Sequence, residues 1–381
     1  MINGLKVVDA DAHMQEPSDL WDNYVEPKFH DRRPIVEETI HRVYYRYKPS
    51  ELFPDVGLPS SIWKWRPQKM YERLEEKYGQ AYDNWWSPES RLEDMEKFGW
   101  DKMVCIPGIG VAPIKQEGKD PDLMWALTRA YHNWAHDFCS TDPTRLKMVV
   151  HLPPYGLEQA EIEARRAVTE LGAVTDLMPK AEAGTAWHDP EYARFWNMIT
   201  DLDVPVAFHG VSSGTPHSSS RYGGVPGALF ALQHVISFPV ENMIALGHLI
   251  YTGILEKHPQ VRASFLEGNA GWLPFWLGRL DDHAVGRQSV FLEDDTMKMK
   301  PSEYFSRQVF VACDGDELGL PGVIDILGDK NLIWNTDYPH SDAPDPDKAL
   351  PDLLNQPISE ENKRNILWDN PARLFGDRIL G

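Results

Sequence analysis

The sequence predicts an α/β fold, a (β/α)₈ TIM barrel with a long insertion after its first strand, and three observations lead there. From residue 87 onward, short runs rich in Val, Ile and Leu alternate with longer segments of helical spacing. Those runs are continuously apolar, as strands are when helices cover them and they pair in parallel. Asp, Glu and His stand where several of the runs end, the face on which such barrels assemble their sites. An open doubly wound sheet is the alternative. It would carry a Gly-rich phosphate turn after the first strand, where Asp9-Ala10-Asp11-Ala12-His13 stands instead.

The first strand climbs from Leu5 to His13. Its polar side chains Asp9, Asp11 and His13 alternate, which in a strand puts all three on one face. A carboxylate and an imidazole two residues apart can bind a divalent metal; the plainer reading is a polar strand end meeting solvent. Residues from about 18 to 88 then mix Trp, Tyr, Pro and charge, among them Trp21, Trp63, Trp65, Trp85 and Trp86. A connection of that length is either a cap over the site or a dimerisation arm. Within it, Leu74 to Gln80 reads as a short helix. Ser87-Pro88-Glu89 opens a helix to about Phe98, with Ser at the N-cap and Pro just inside. Strands follow at Lys102 to Ile106, Leu146 to Leu152, Ala173 to Met178, Val204 to Phe208, Val261 to Leu266, Val309 to Ala312 and Leu332 to Asn335. Between them, spacing predicts helices over Asp122 to Phe138, Leu157 to Leu171, Asp189 to Leu202, Ala228 to His258, Trp272 to His283 and Leu318 to Leu327. Helices at Asp347 to Leu354 and Ser359 to Trp368 close the chain, read as a single domain over 1–381.

Composition bounds the function. Asp plus Glu number 58 against 38 Lys plus Arg, a formal net charge of -20. That balance argues against nucleic acid or an anionic membrane as partner and leaves a small-molecule substrate. Cys105, Cys139 and Cys313 are widely spaced and form no CxxC pair, which fits a reducing compartment. Met-Ile-Asn-Gly-Leu-Lys is not a signal peptide, and no apolar run is long enough to span a bilayer. The expectation is a cytoplasmic protein. The 14 Trp line a pocket or pack subunits, and a homo-oligomer, a dimer, is expected.

Strand ends carry the chemistry. The first offers Asp11 and His13, the fifth His209, the sixth Glu267, the eighth Asp337 and, three residues on, His340. A barrel brings these ends around one mouth. Asp11, His13, His209 and Asp337 make a two-His, two-carboxylate set suited to one divalent metal, with Zn²⁺ expected and Mn²⁺ or Fe²⁺ as alternatives. Of the other histidines, His217 lies in the Gly/Ser-rich loop from Gly210 to Gly227 and is a candidate substrate contact. His248 reads as a core or interface residue. His132 and His136, four apart, lack the Glu of a metalloprotease helix, so packing is the better reading. His151 ends the third strand and faces the mouth without a nameable partner.

With these residues in view, the chain resembles the amidohydrolase superfamily, in the branch of aminocarboxymuconate-semialdehyde and resorcylate-type decarboxylases. The resemblance rests on Val8-Asp9-Ala10-Asp11-Ala12-His13, Phe208-His209-Gly210, Gly271-Trp272-Leu273-Pro274, Thr336-Asp337-Tyr338-Pro339-His340 and Asn370-Pro371-Ala372-Arg373-Leu374-Phe375-Gly376. It implies that Asp11, His13, His209 and Asp337 hold the metal and that Asp337 also moves protons. One departure stands out. The family's decarboxylases carry a His after the sixth strand; here Gly268 stands near that place, preceded by Glu267. Glu267 is then either a general acid/base or a carboxylate orienting a ligand, and His340 either contacts substrate or supports a ligand. The expected activity is metal-dependent hydrolysis of a small, aromatic substrate, with Asp337, Glu267 and His340 as catalytic residues. Non-oxidative decarboxylation is the alternative. A ligand-binding barrel without catalysis conflicts with the complete donor set.

Overall fold

The computed structural model describes residues 4–40, 42, 44–53, 68–116, 120–179, 181–182, 184–210, 228–285 and 296–381. Its strands are β1 (Val8–His13), β2 (Val36–Ile40), β3 (Tyr44–Tyr47), β4 (Lys102–Ile106), β5 (Leu146–Met148), β6 (Val150–His151), β7 (Asp176–Leu177), β8 (Val206–His209), β9 (Ala263–Leu266), β10 (Val309–Cys313) and β11 (Leu332–Trp334). One parallel ladder runs β1-β4-β5 and a second runs from β6 through β11, each strand beside its successor in the chain. β5 and β6 are two segments of one expected strand, interrupted at Val149, so the ladders hold the eight strands read from the sequence. Past β11, the amide of Asp337 donates to Asp11 O at 2.9 Å, and the amide of His13 donates to Tyr338 O at 2.6 Å. These bonds bring the last strand back to the first.

Side chains sort into two layers. Val104, Val149, Ala207, Leu266, Phe310 and Ile333 fill the barrel's interior. Met103, Met148, Phe208, Phe265 and Trp334 point outward against the helices. Both faces of each strand are therefore apolar, which is why the runs read as continuous rather than alternating. The helix Pro88–Phe98 begins as expected: the Ser87 hydroxyl accepts from the Ser90 amide, and Gly99 ends it at φ 81°. The long expected helix of 228–258 instead divides into Ala228–Tyr251 and Ile254–Lys257, because Gly253 adopts φ 74°. The expected strand at 173–178 pairs only over Asp176–Leu177.

The insertion contains an element its sequence did not announce, the antiparallel hairpin β2–β3. Helix Gln68–Tyr78 lengthens the short helix expected there. Three hydrogen bonds locate the insertion. Trp85 Nε1 donates to Glu16 O at 3.2 Å, Tyr47 OH to Gly110 O at 2.7 Å and Tyr78 OH to His340 O at 2.8 Å. All three acceptors lie just past the C-terminal ends of β1, β4 and β11, so the insertion is tied to the mouth of the barrel. No described helix is long and apolar enough to cross a membrane.

Candidate metal centre

His13 and His209 set the centre. Each turns its Nδ1 to a backbone carbonyl, His13 to Pro107 O at 2.8 Å and His209 to Gly210 O at 2.7 Å. A carbonyl only accepts, so each Nδ1 carries the proton and each Nε2 presents a lone pair. Those two Nε2 atoms lie 3.2 Å apart, lone pair against lone pair. Asp11 closes the group, its carboxylate oxygens 3.6 Å and 3.8 Å from the two Nε2 atoms. Asp11 is fully buried, and neither oxygen has a hydrogen-bond partner. Asp337 Oδ1 stands 3.3 Å from His13 Nε2, and Glu267 Oε2 3.0 Å from His209 Nε2. His340 adds its Nδ1 at 2.7 Å from Asp337 Oδ1 and stacks on His13 with ring centroids 4.1 Å apart.

This arrangement fits a divalent cation. Two imidazole nitrogens bound to one ion at 2.0–2.1 Å and a tetrahedral angle lie about 3.3 Å apart. A buried carboxylate without a donor is costly, and a cation removes that cost. Asp11, His13 and His209 bring donor atoms together in one group and His13, Asp337 and His340 in a second that shares His13, with His13 and His209 oriented through their other nitrogens.

Charges in the cluster are strongly coupled. Burial drives the Asp11 carboxyl well above the usual range, against the attraction of His209. Burial and the neighbouring His340 charge push His13 down to about 3. Burial resists ionisation of Asp337, yet His340 and the contact with His13 outweigh it and hold the group below the usual carboxylate range. The converse is His340, raised to about 9 against its burial by the Asp337 charge. Burial, then the Asp337 charge, raise Glu267 well above a normal Glu. The backbone shares the cost: Glu267, Asn269 and Asp337 take φ values of 51°, 54° and 54°, left-handed geometry that turns the ends of β9 and β11 inward.

Two further carboxylates hold the loops beneath these residues. Glu16 accepts from the Gly108 amide at 2.8 Å, the Gly110 amide at 3.1 Å and Tyr131 OH at 3.2 Å. That loop carries Pro107 O, the acceptor that orients His13. A Cβ on Gly110 would lie 2.6 Å from Glu16 Oε2, so the turn needs glycine there. Glu317 likewise accepts from the Ala270 and Gly271 amides, just past Glu267. Burial raises Glu16 and Glu317 to about 7 each. The folded chain therefore holds protons that the unfolded chain releases near pH 4.5, and the stability these groups contribute is lost as pH rises through about 7. Glu16→Gln aims an NH₂ at an amide N–H. It is expected to lower unfolding free energy by about 1–3 kcal/mol, to weaken metal binding and to flatten this pH slope. Urea unfolding of the metal-free variant between pH 5 and 8, with a metal titration, tests all three.

One expectation is corrected. Asp9 does not share a face with Asp11 and His13. The register of β1 against β4 shifts between Asp9 and Ala12, breaking the two-residue alternation, and Asp9 instead accepts from the Thr336 amide at 3.0 Å. His132 packs as expected: its Nδ1 meets Glu163 at 2.6 Å and its Nε2 accepts from the His151 amide at 3.0 Å. His136 turns to Leu171 O, and half-buried His248 meets His188. His217 and the loop 211–227 lie outside the described residues. Arg91 gave no sequence signal. It is buried under the cluster, donates to His13 O at 2.6 Å and lies 4.9 Å from the Tyr338 ring centroid. Gly268, near the place of the decarboxylases' His, has no room for a side chain: a Cβ there would lie 2.3 Å from Asn242 Nδ2. Glu267 is the residue of β9's end that reaches the cluster.

Comparison with known proteins agrees with this fold. A family model described as amidohydrolase matches residues 8–376. The chain belongs to the amidohydrolase family. Its relatives include a 2-amino-3-carboxymuconate-6-semialdehyde decarboxylase of Dictyostelium discoideum, 22% identical over 298 residues, covering 77% of each chain. A gamma-resorcylate decarboxylase of Rhizobium sp. (strain MTP-10005) is 24% identical over 298 residues, 75% of this chain and 86% of the relative. Among solved structures, an amidohydrolase from Mycobacterium avium subsp. paratuberculosis K-10 superposes with a TM-score of 0.72 at 18% identity, covering 98% of both chains. A manganese-bound 5-carboxyvanillate decarboxylase from Novosphingobium aromaticivorans superposes at 0.68 and 21% identity, covering 98% of this chain and 96% of that one.

Proposed function

We propose that the protein is a metal-dependent carboxy-lyase that removes CO₂ non-oxidatively from a small aromatic acid. The observation that carries this reading is Glu267, a protonatable side chain at the sixth barrel strand with an oxygen 3.0 Å from His209 Nε2. The expectation of hydrolysis rested on the want of a proton donor there. Decarboxylase relatives across three quarters of the chain favour the same reading. Asp11, His13, His209 and Asp337 would hold the ion, for which the manganese of a solved relative favours Mn²⁺ over Zn²⁺. When bound, it would neutralise and orient the acid's oxygens.

The residues divide the proton work. With Asp11 and Asp337 ionised, His340 protonated and a dication bound, the site is neutral when Glu267 is ionised. Entry of an anionic substrate shifts that balance by one charge, and Glu267 takes up a proton with it. As the bond to the carboxyl carbon breaks, its electron pair stays on the ring carbon, and Glu267 gives its proton to that carbon. CO₂ leaves and Glu267 is ionised again; the one proton it takes up with the next substrate reaches it through His340, which regains a proton from solvent and whose charge Asp337 holds. The insertion tied to the mouth excludes water and sets the substrate. Deleting residues 18–86 should abolish turnover while the barrel strands keep their hydrogen-exchange protection; exchange that finds the insertion shielding the opposite barrel face would reject this cap role. The direct test supplies Mn²⁺-loaded protein with hydroxybenzoates and measures CO₂. Hydrolysis of esters, amides or lactones with no CO₂ from any acid would reject the reading.

A further inference from the structure

The helix Ala228–Tyr251 meets the ends of β8 and β9 at two glycines. A Cβ on Gly210, directly after His209, would lie 2.7 Å from Phe238 Cδ1. One on Gly268, directly after Glu267, would lie 2.3 Å from Asn242 Nδ2. Phe238 and Asn242 are four residues apart, neighbours on one helix face, so a single rigid element rests on both strand ends. The Phe238 ring stands T-shaped to His209, with centroids 6.5 Å apart. Asn242 is 1% exposed, and its Nδ2 donates to Leu266 O at 3.0 Å.

Leu266 is the last residue of β9, and the register of β9 with β10 ends one residue earlier, at Phe265. The peptide joining Leu266 to Glu267 is planar, so the direction of the Leu266 carbonyl fixes the plane from which Glu267 departs. Glu267 then takes φ 51°, a geometry that persists for a side chain only where its surroundings over-determine it. Beyond it the turn is clamped. Trp272 Nε1 donates to Gly268 O at 3.0 Å and to Asn269 O at 2.8 Å, and Asn269 Nδ2 donates to Asp314 Oδ2 at 2.8 Å. Those contacts act on residues 268 and 269; Asn242 acts on the peptide before Glu267. Held from both sides, Glu267 keeps Oε2 3.0 Å from His209 Nε2. Held from one side only, it can relax to negative φ, which swings its Cβ away from the cluster.

We propose that Asn242 is a positioning residue for the proton donor. Through the Leu266 carbonyl it keeps Glu267 in its left-handed turn and aimed at the cluster, and position 268 is glycine because Asn242 fills the place of a side chain there. This rests on the carboxy-lyase reading for the donor role of Glu267.

Asn242→Leu keeps the volume and removes the donor. In the Mn²⁺-loaded protein, with a hydroxybenzoate that the wild type decarboxylates, it is expected to lower kcat by about 10–10²-fold, the cost of a misplaced group, with KM and Mn²⁺ affinity within about twofold. The same change made in Glu267→Gln should cost no further turnover, since the group it positions can no longer give a proton. An equal loss in both backgrounds, as a merely structural residue gives, would overturn the inference, and so would an unchanged kcat. Gly268→Ala reaches the same contact from the other side and carries the test if Asn242→Leu does not fold. Alone it should lower kcat; once Asn242→Ala has vacated the space it should add nothing, and full additivity of that pair would count against the inference. Crystal structures of the loaded wild type and variant read the position without turnover. Glu267 should leave positive φ in the variant, and an unmoved Glu267 overturns the inference whatever the rate. A wild type that releases no CO₂ from any acid removes the carboxy-lyase reading, and the crystal comparison still decides whether Asn242 holds Glu267.

Discussion

Asp337→Asn is expected to reduce turnover by about 10³-fold or more while weakening metal binding by only about 10–100-fold. The separation follows from its two contacts. Oδ1 faces His13 Nε2 at 3.3 Å, where a neutral amide oxygen still ligates weakly, and His340 Nδ1 at 2.7 Å, where only a carboxylate holds the imidazolium. Asparagine removes the charge that raises His340 to about 9. The His340 pKa should therefore fall, and the proton it returns to Glu267 should be missing at neutral pH. Turnover at saturating metal, a metal titration and the His340 NMR titration read the three effects separately. Near-normal turnover at full occupancy would remove Asp337 from the proton path.

Glu267→Gln is expected to lower CO₂ release by about 10²–10⁴-fold, the usual worth of a positioned acid, with metal occupancy preserved. Gln keeps the shape beside His209 and cannot give a proton. The pH profile carries the sign. Burial and Asp337 raise this carboxyl, so the wild type keeps its donor form to higher pH than a free Glu and loses activity as pH rises past it. The variant's residual rate should lack that limb. Release of CO₂ at near wild-type rate by the variant would move the donor role elsewhere, with His340 the nearest remaining group.

Much of this could be read from residues in order. The eight strand segments were legible because strands packed on both faces are apolar throughout, and helix starts because Ser87-Pro88 satisfies free amides in a fixed way. Which polar strand ends meet was legible for a related reason. A barrel brings every strand end to one mouth, so a His or Asp at the end of an apolar run already has its address. Asp11, His13, His209, Glu267, Asp337 and His340 all meet within the distances given above.

What could not be read depends on contacts between segments far apart in the chain. Asp9 looked like a third member of the cluster, because a shift in register leaves no mark in a six-residue strand; it is settled by which residue of β4 lies opposite. The hairpin β2–β3 was hidden because the burial of Tyr45 and Tyr47 comes from distant partners, their hydroxyls donating to Glu16 O and Gly110 O. Arg91 and Glu16 gave no local signal, since what they hold is backbone: the carbonyl of His13 and the amides of Gly108 and Gly110. The order of residues therefore names the groups that carry charge and donor atoms at the mouth. Their protonation, and the orientation of each lone pair, come from burial and from partners up to 327 positions away, as between Asp9 and Thr336, because desolvation and hydrogen bonding act through space and not along the chain.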